Sequence, residues 1–398
     1  MFILFLIVVI DLIGFGIIIP LLPFYAEYYS ASPAEVGLLM AVYSLTQFIA
    51  APFWGRTSDR TGRRPVLLIS LAGTALSYVW LGTAESLWVL FAARAAGGFM
   101  AGNISAAFAY AADITTRENR AKGMGVVGAA FGLGFIIGPA VGGILAGSDP
   151  VNADFRSPAF AAAGLSAIAF VLTLIFLKES LSTEIRERMA ALTPETRRQR
   201  FRKAVADPRV ALLVGLSFIA TFAFAGLEAT FAMWSRRQYG WGPEQNGYLF
   251  AFVGIMGALV QGGLIGRLAK RFGEPALIVH GGIALTIGVL LIPFSTELPL
   301  LLVAMVIAGF GFSVLTPSLN SLISLQVGEQ EQGGVIGIAR SATTLARVVG
   351  PAFAGALFSL LGKDWPYFAG AIVMAVFVVL AWRARSGLTV PKVEAEEV

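Results

Sequence analysis

The chain has 398 residues, of which 57% are hydrophobic and only 13% charged, with a formal net charge of +5. A soluble domain carries about 25% charged residues, so this composition excludes an ordinary water-facing surface and points to hydrocarbon as the solvent. The absence of cysteine excludes disulfides, thiolate metal sites and cysteine nucleophiles, and the lone His280 excludes a histidine-rich metal centre.

A bilayer core about 30 Å thick takes about 20 apolar residues of helix. Such runs fall, in chain order, at 2–26, 35–55, 65–84, 87–112, 122–146 and 157–177. Six more follow at 210–235, 245–266, 274–294, 298–325, 334–361 and 365–383. The expected fold is an all-α membrane protein of twelve spans. The first run opens without a basic n-region or an A-x-A-like site, so no cleavable signal peptide is expected.

Basic residues crowd alternate loops. One set carries Arg56, Arg60, Arg63, Arg64, Arg117, Arg120, Lys122, Arg267, Lys270, Arg271, Arg383, Arg385, Lys392 and the linker cluster. The other set holds only Arg156, Arg236, Arg237 and Lys363. The excess therefore belongs to membrane topology rather than to nucleic acid, and it places both termini in the cytoplasm. The long polar stretch 179–209 separates an N-terminal six-helix bundle, 1–178, from a C-terminal one, 210–384, and 385–398 is a cytoplasmic tail. Within the linker, Arg197, Arg198, Arg200, Arg202 and Lys203 form either a plain positive-inside connection or an interfacial helix on anionic headgroups.

The two halves repeat each other. Gly55-Arg56-Thr57-Ser58-Asp59-Arg60-Thr61-Gly62 recurs as Gly266-Arg267-Leu268-Ala269-Lys270-Arg271-Phe272-Gly273, at an offset of 211. Gly138-Pro139-Ala140-Val141-Gly142-Gly143 recurs as Gly350-Pro351-Ala352-Phe353-Ala354-Gly355, and Ala96-Gly97 as Ala308-Gly309, both at 212. Parallel six-span repeats are the architecture of alternating-access carriers, with the substrate held between the halves near the midplane.

Ionisable residues inside the spans are the candidate machinery, because each is costly in hydrocarbon. Asp11 lies about 14 Å into the first span, at 1.5 Å per residue. Its ionised form is expensive there unless a cation pairs it, which suits a proton-coupling carboxylate; a cap on glycine-rich backbone is the structural alternative. Arg94 is the intramembrane cation of the first half and pairs with Asp11 or with carbonyls of a neighbouring span. Glu228, in the outer half of span seven, is a second titrating site or a snorkelling residue. Arg340 and Arg347, seven apart on one face of span eleven, serve an anionic substrate, Asp11 or the domain interface. Gly134, Gly138 and Gly142 bare one helix face for close packing or for a seal between the halves, and Pro139 removes a backbone hydrogen bond there. His280 is expected to be a satisfied interior residue. No Gly-x4-Gly-Lys-Ser/Thr loop appears, so an ion gradient rather than ATP is the expected energy source.

These residues resemble the major facilitator superfamily and, within it, drug:proton antiporters related to tetracycline-efflux proteins. Gly55-x3-Asp59-Arg60-x-Gly62-Arg63-Arg64, after span two, is similar to the superfamily's signature loop. Gly134-x3-Gly138-Pro139-x2-Gly142-Gly143 is similar to the antiporter motif, and Asp11-x2-Gly14-x-Gly16-x3-Pro20-x2-Pro23 to the tetracycline-efflux pattern. The likeness covers almost the whole chain. It departs from the family at Gly97, where the span-four motif carries glutamine after its arginine, and at Ser77 and Leu285, where tetracycline exporters carry acids.

The resemblance implies that Asp59 and Arg63 meet Asp113 in a cytoplasmic charge network that locks the outward-facing state. Lys270 replaces Asp59 in the second copy, so the lock would be asymmetric. It further implies a proton-coupled exporter of amphipathic small molecules, monomeric, in the plasma membrane, with neither cofactor nor enzymatic activity. Two other readings remain open: a symporter or facilitator of an anionic metabolite or lipid, and a receptor built on a transporter scaffold.

Overall fold

The computed structural model of the protein describes residues 1–115, 120–181, 207–327 and 332–388. Twelve of its helices are long and apolar enough to cross a membrane. They are α1 (Phe2–Tyr28), α2 (Pro33–Thr61), α3 (Arg63–Gly82), α4 (Leu87–Asp113), α5 (Arg120–Ala146) and α6 (Arg156–Phe176). The second six are α7 (Pro208–Tyr239), α8 (Pro243–Phe272), α9 (Glu274–Phe294), α10 (Leu298–Leu325), α11 (Gln332–Leu361) and α12 (Trp365–Ala384). No strand occurs among the described residues. The all-α, twelve-span expectation holds. Most of the linker and of the C-terminal tail, with Arg117, lies outside the described residues.

Local chemistry sets the ends. Gly62, Gly147, Gly240, Gly273 and Gly362 all adopt positive φ and stop helices where a side chain would be strained. At the start of α2, Ser32 and Glu35 exchange hydrogen bonds in a capping box, with Pro33 at the first helical position. Interruptions occur at residues 19–21 of α1, at Ala101–Gly102 of α4 and at a π-helical turn, Val260–Leu264, in α8. The stretch expected as a loop after span two is helical up to Thr61. Only Gly62 turns the chain, at φ 111°, and Gly273 does the same at 75° between α8 and α9. Nothing in Gly55–Thr61 forbids helix, so the polar end of α2 simply continues past its apolar run.

Contacts divide the chain into two compact units. One holds residues 1–193, 225–258 and 347–366; the other holds 194–224, 259–346 and 367–398. In the second, α9 and α10 meet through small residues: a Cβ placed on Gly281 would stand 3.0 Å from the Gly311 carbonyl oxygen.

In the first unit, α5 lies against α1 along the glycine ridge. A Cβ at Gly134, Gly138 or Gly142 would stand 2.6 Å from Leu12 Cβ, 2.6 Å from Gly16 Cα or 3.0 Å from Ile17 Cα, respectively. Three of the antiporter-motif glycines therefore pack within their own half, and Pro139 lies inside an unbroken helix with its ring against Gly16. Gly143 differs. It faces α8, where its Cβ would lie 2.9 Å from the Pro243 carbonyl oxygen.

Candidate functional site

Asp11 sits on α1 with 8% of its surface accessible, and Ser166 of α6 donates its hydroxyl to Asp11 Oδ1 at 3.2 Å. Beside it is a cavity of about 10 Å³ walled by Ile7, Val8, Leu12, Leu67, Leu71, Ile104 and Ala107. That is about the space of a single water. Phe15, one turn further along α1, touches the rings of Tyr43 (5.3 Å) and Phe135 (6.1 Å).

Arg94, on α4 and 4% exposed, lays its guanidinium over the Tyr43 ring at 4.3 Å. It shares a pocket with Thr74, Ser77, Tyr78 and Gly97. Its Nε finds no hydrogen-bond partner, and no carboxylate among the described residues lies within ion-pair distance of it. Among the described residues, Arg94 and Asp11 do not form the direct ion pair that depth alone suggested.

Glu228 of α7 accepts from Arg347 of α11 at 3.2 Å, with side-chain exposures of 10% and 37%. Arg347 is therefore committed to Glu228 in this structure. Arg340, two turns earlier on the same helix, is exposed. His280 is also exposed, its ring 6.5 Å from that of Phe272. It lies on the outside of α9 rather than in the interior. The interior expectation failed because a helix apolar on all sides carries no mark of which face meets protein.

At the end of the bundle carrying Gly62, Arg63 is 4% exposed and bridges two acids. Its Nη1 donates to Asp59 Oδ1 at 2.8 Å and to Ser58 Oγ at 3.0 Å, and its Nε donates to Asp113 Oδ2 at 3.1 Å. The structure brings Asp59, Arg63 and Asp113 together. Arg60 is exposed. Glu179, which sequence reasoning missed, accepts the backbone N–H groups of Arg63 (2.8 Å) and Arg64 (3.1 Å).

The opposite end of the first unit is clasped. Glu27, at the end of α1, takes Arg236 at 2.8 Å and Arg237 at 2.9 Å, both from α7. Trp234 Nε1 donates to Asp364 at 2.8 Å, and Lys363 donates to Gln238 at 2.6 Å. The Glu244 N–H reaches the Gly147 carbonyl at 3.2 Å, joining the start of α8 to the end of α5. Two glycine crossings complete the clasp. A Cβ at Gly37 would stand 3.0 Å from Gly355 Cα, and one at Gly247 would stand 3.0 Å from Gly143 Cα.

Further along the same four helices, a Cβ at Gly55, Gly128, Gly266 or Gly337 meets no atom of another element within 4 Å among the described residues. The clasp residues were legible only in part: glycines recur at repeat positions, but nothing in the sequence pairs Glu27 with two arginines some 200 residues away. Among the described residues, no group of three or more His, Cys, Asp or Glu is placed to hold a metal ion.

Twelve apolar spans in a duplicated order, with ionisable residues buried among them, are the build of a carrier of small molecules. The family model for the Major Facilitator Superfamily matches residues 4–296 and 262–397, and the chain belongs to that superfamily. It is 32% identical over 384 residues to "Tetracycline resistance protein, class C" of Escherichia coli, covering 96% of this chain and 95% of that protein. It is also 32% identical to "Multidrug resistance protein 2" of Bacillus subtilis (strain 168), covering 94% of this chain and 92% of the relative. Among solved structures, the human organic anion transporter MFSD10 (TETRAN) superposes with a TM-score of 0.72 at 28% identity, covering 95% of this chain and 98% of that one.

Proposed function

We propose that the chain is a secondary active transporter that exports amphipathic small molecules in exchange for protons, by alternating access, from the plasma membrane. The observation that carries this reading is the one-ended packing of α2, α5, α8 and α11. Glycine meets glycine at one end, at Gly37 with Gly355 and at Gly143 with Gly247, while among the described residues Gly55, Gly128, Gly266 and Gly337 have no other element within 4 Å of a Cβ. A carrier that alternates needs each of these helices to offer a close-packing surface at both ends and to use one at a time.

The distribution of basic residues supports a cytoplasmic position for the Gly62 end and for both termini, with the clasp outside. The state described would then be shut toward the exterior. Asp11 is the coupling carboxylate in this scheme: it is buried on α1, receives the Ser166 hydroxyl and lies beside space for about one water. Protonation from outside and release inside would bias the half-bundle between its two arrangements. The charge network at Arg63 acts as the cytoplasmic lock. The names of the relatives, tetracycline and multidrug resistance, support drug export. A symporter or facilitator of an anionic metabolite is less well supported, since one of the two arginines it relied on, Arg347, is taken by Glu228.

The test is reconstitution of the purified protein in liposomes with an imposed pH gradient. Ethidium, Nile red and 1-anilinonaphthalene-8-sulfonate serve as cationic, neutral and anionic probes. Accumulation of at least one probe against its gradient, abolished by a protonophore, is expected. A gradient of about one pH unit supports up to roughly tenfold accumulation per proton. Equilibration of every probe at the same rate with and without the gradient would overturn proton coupling.

A further inference from the structure

The cytoplasmic lock contains a carboxylate that the signature stretch does not supply. Gly62 cannot cap α3 with a side chain, so the first N–H groups of that helix need an outside acceptor. Glu179, three residues beyond α6, provides it. Its Oε1 accepts from Arg63 N at 2.8 Å and its Oε2 from Arg64 N at 3.1 Å. The same Oε1 accepts from Ser180 N and Leu181 N, each at 3.0 Å, so the carboxylate also folds its own segment. A negative group here is favoured by the helix N-terminus. The Glu179 carboxyl fills the space a side chain on Gly62 would need, which gives that glycine a second reason beside its positive φ.

Further contacts join the same segment to the charge network. Ser180 Oγ donates at 3.0 Å to Asp113 Oδ2, the oxygen that also receives Arg63 Nε. Tyr110 of α4 donates to the Lys178 carbonyl at 2.8 Å, and Arg64 Nη2 to the Leu174 carbonyl at 2.7 Å. The second copy of the motif is built differently. There the residue after the turning glycine, Gly273, is itself an acid, Glu274, whose carboxylate accepts from Ser321 Oγ of α10 at 3.2 Å. Among the described residues, the first copy takes its acid from the segment that opens the central linker.

We infer that Glu179 and Ser180 are positioning residues of the cytoplasmic lock. Glu179 fixes the backbone of Arg63 so that one guanidinium spans Asp59 and Asp113 together, and Ser180 holds Asp113 toward it. The end of α6 and the start of the linker are thereby parts of the gate. This rests on the alternating-access reading proposed above, with the lock favouring the state opposite to the one clasped here.

The experiment needs no substrate. Spin labels are placed through Val151→Cys and Leu360→Cys, exposed positions (62% and 80%) at the clasped end of a chain that has no native cysteine. Pulsed dipolar spectroscopy in lipid nanodiscs at pH 5 and pH 8 reads the distance across that end. The wild type should give a short distance, the clasped state, and a longer one. Glu179→Gln and Asp59→Asn should each lower the long-distance fraction by at least about threefold relative to the short one. The double variant should fall no further than either single, because both act through Arg63. Ser180→Ala should shift it the same way by less, and it keeps the test open should Glu179→Gln fold poorly. An unchanged distribution in Glu179→Gln and Ser180→Ala, or a fully additive double variant, would overturn the inference while leaving alternating access intact. One distance at both pH values in the wild type would overturn both.

Discussion

At the scale of single residues, a charge inside an apolar span is costly, and its neighbours decide what each residue is free to do. Glu228 and Arg347 hold each other across α7 and α11. Removing the arginine leaves a carboxylate whose side chain is only 10% exposed without its cation, whereas removing both charges leaves nothing to compensate. We predict that Arg347→Gln lowers stability by roughly 1–2 kcal/mol, the exposure of the arginine keeping the figure small, and that Glu228→Gln in the same chain restores most of the loss. Thermal melts of the detergent-purified variants check this. A double variant no more stable than Arg347→Gln would contradict it. The sequence located these ionisable residues, since a charge in an apolar run is visible on inspection. It did not show their partners. Arg347 had three candidates, and Arg94 lies over Tyr43 rather than against Asp11. Pairing depends on how helices rotate about their own axes, and spans that are apolar on every side do not encode that rotation in their pattern.

At the scale of elements, glycine position along a helix determines where another helix can approach. Gly355 meets Gly37 so closely that a Cβ on it would lie 2.9 Å from the Gly37 Cα, while a Cβ on Gly337 of the same helix meets no other element within 4 Å among the described residues. Gly355→Val should therefore prevent the clasp from closing. The expected outcomes are loss of the short distance between labels at positions 151 and 360 and a fall in transport of at least about tenfold, because one half of the cycle is inaccessible. Retention of the short distance would contradict this account of the seal. Gly337→Ala should instead raise helix stability by about 0.5–1 kcal/mol, the ordinary gain from replacing an exposed helical glycine. A melting temperature lowered by that substitution would mean the site is filled after all. Span limits were largely readable because hydrocarbon thickness fixes helix length. The helical run through Gly55–Thr61 was not, since a polar helix extension looks like a loop when hydropathy is the only guide.

At the scale of the whole molecule, duplication and charge asymmetry carry the argument. The repeat offset was visible in three motifs, and twelve helices follow it. Orientation rests on the basic residues alone. Cysteines introduced singly at Arg198 and Lys363 should react with an impermeant maleimide from opposite sides of the membrane. Reaction of both from one side would overturn the assignment of the clasp to the exterior. Glu179 and the Glu27 clasp escaped the sequence for one reason: both are contacts between residues far apart in the chain, made by side chains whose types are common at helix ends.

Proton-driven export is the central claim, and Asp11 bears it. Asp11→Asn keeps the size of the side chain and can still receive the Ser166 hydroxyl, but it cannot gain and lose a proton. The decisive measurement is accumulation of the transported probe in inverted vesicles, with and without an imposed proton gradient, for the wild type and Asp11→Asn. The account predicts gradient-driven accumulation in the wild type only, with downhill exchange partly surviving in the variant. Accumulation by Asp11→Asn at the wild-type level under the same gradient would contradict it.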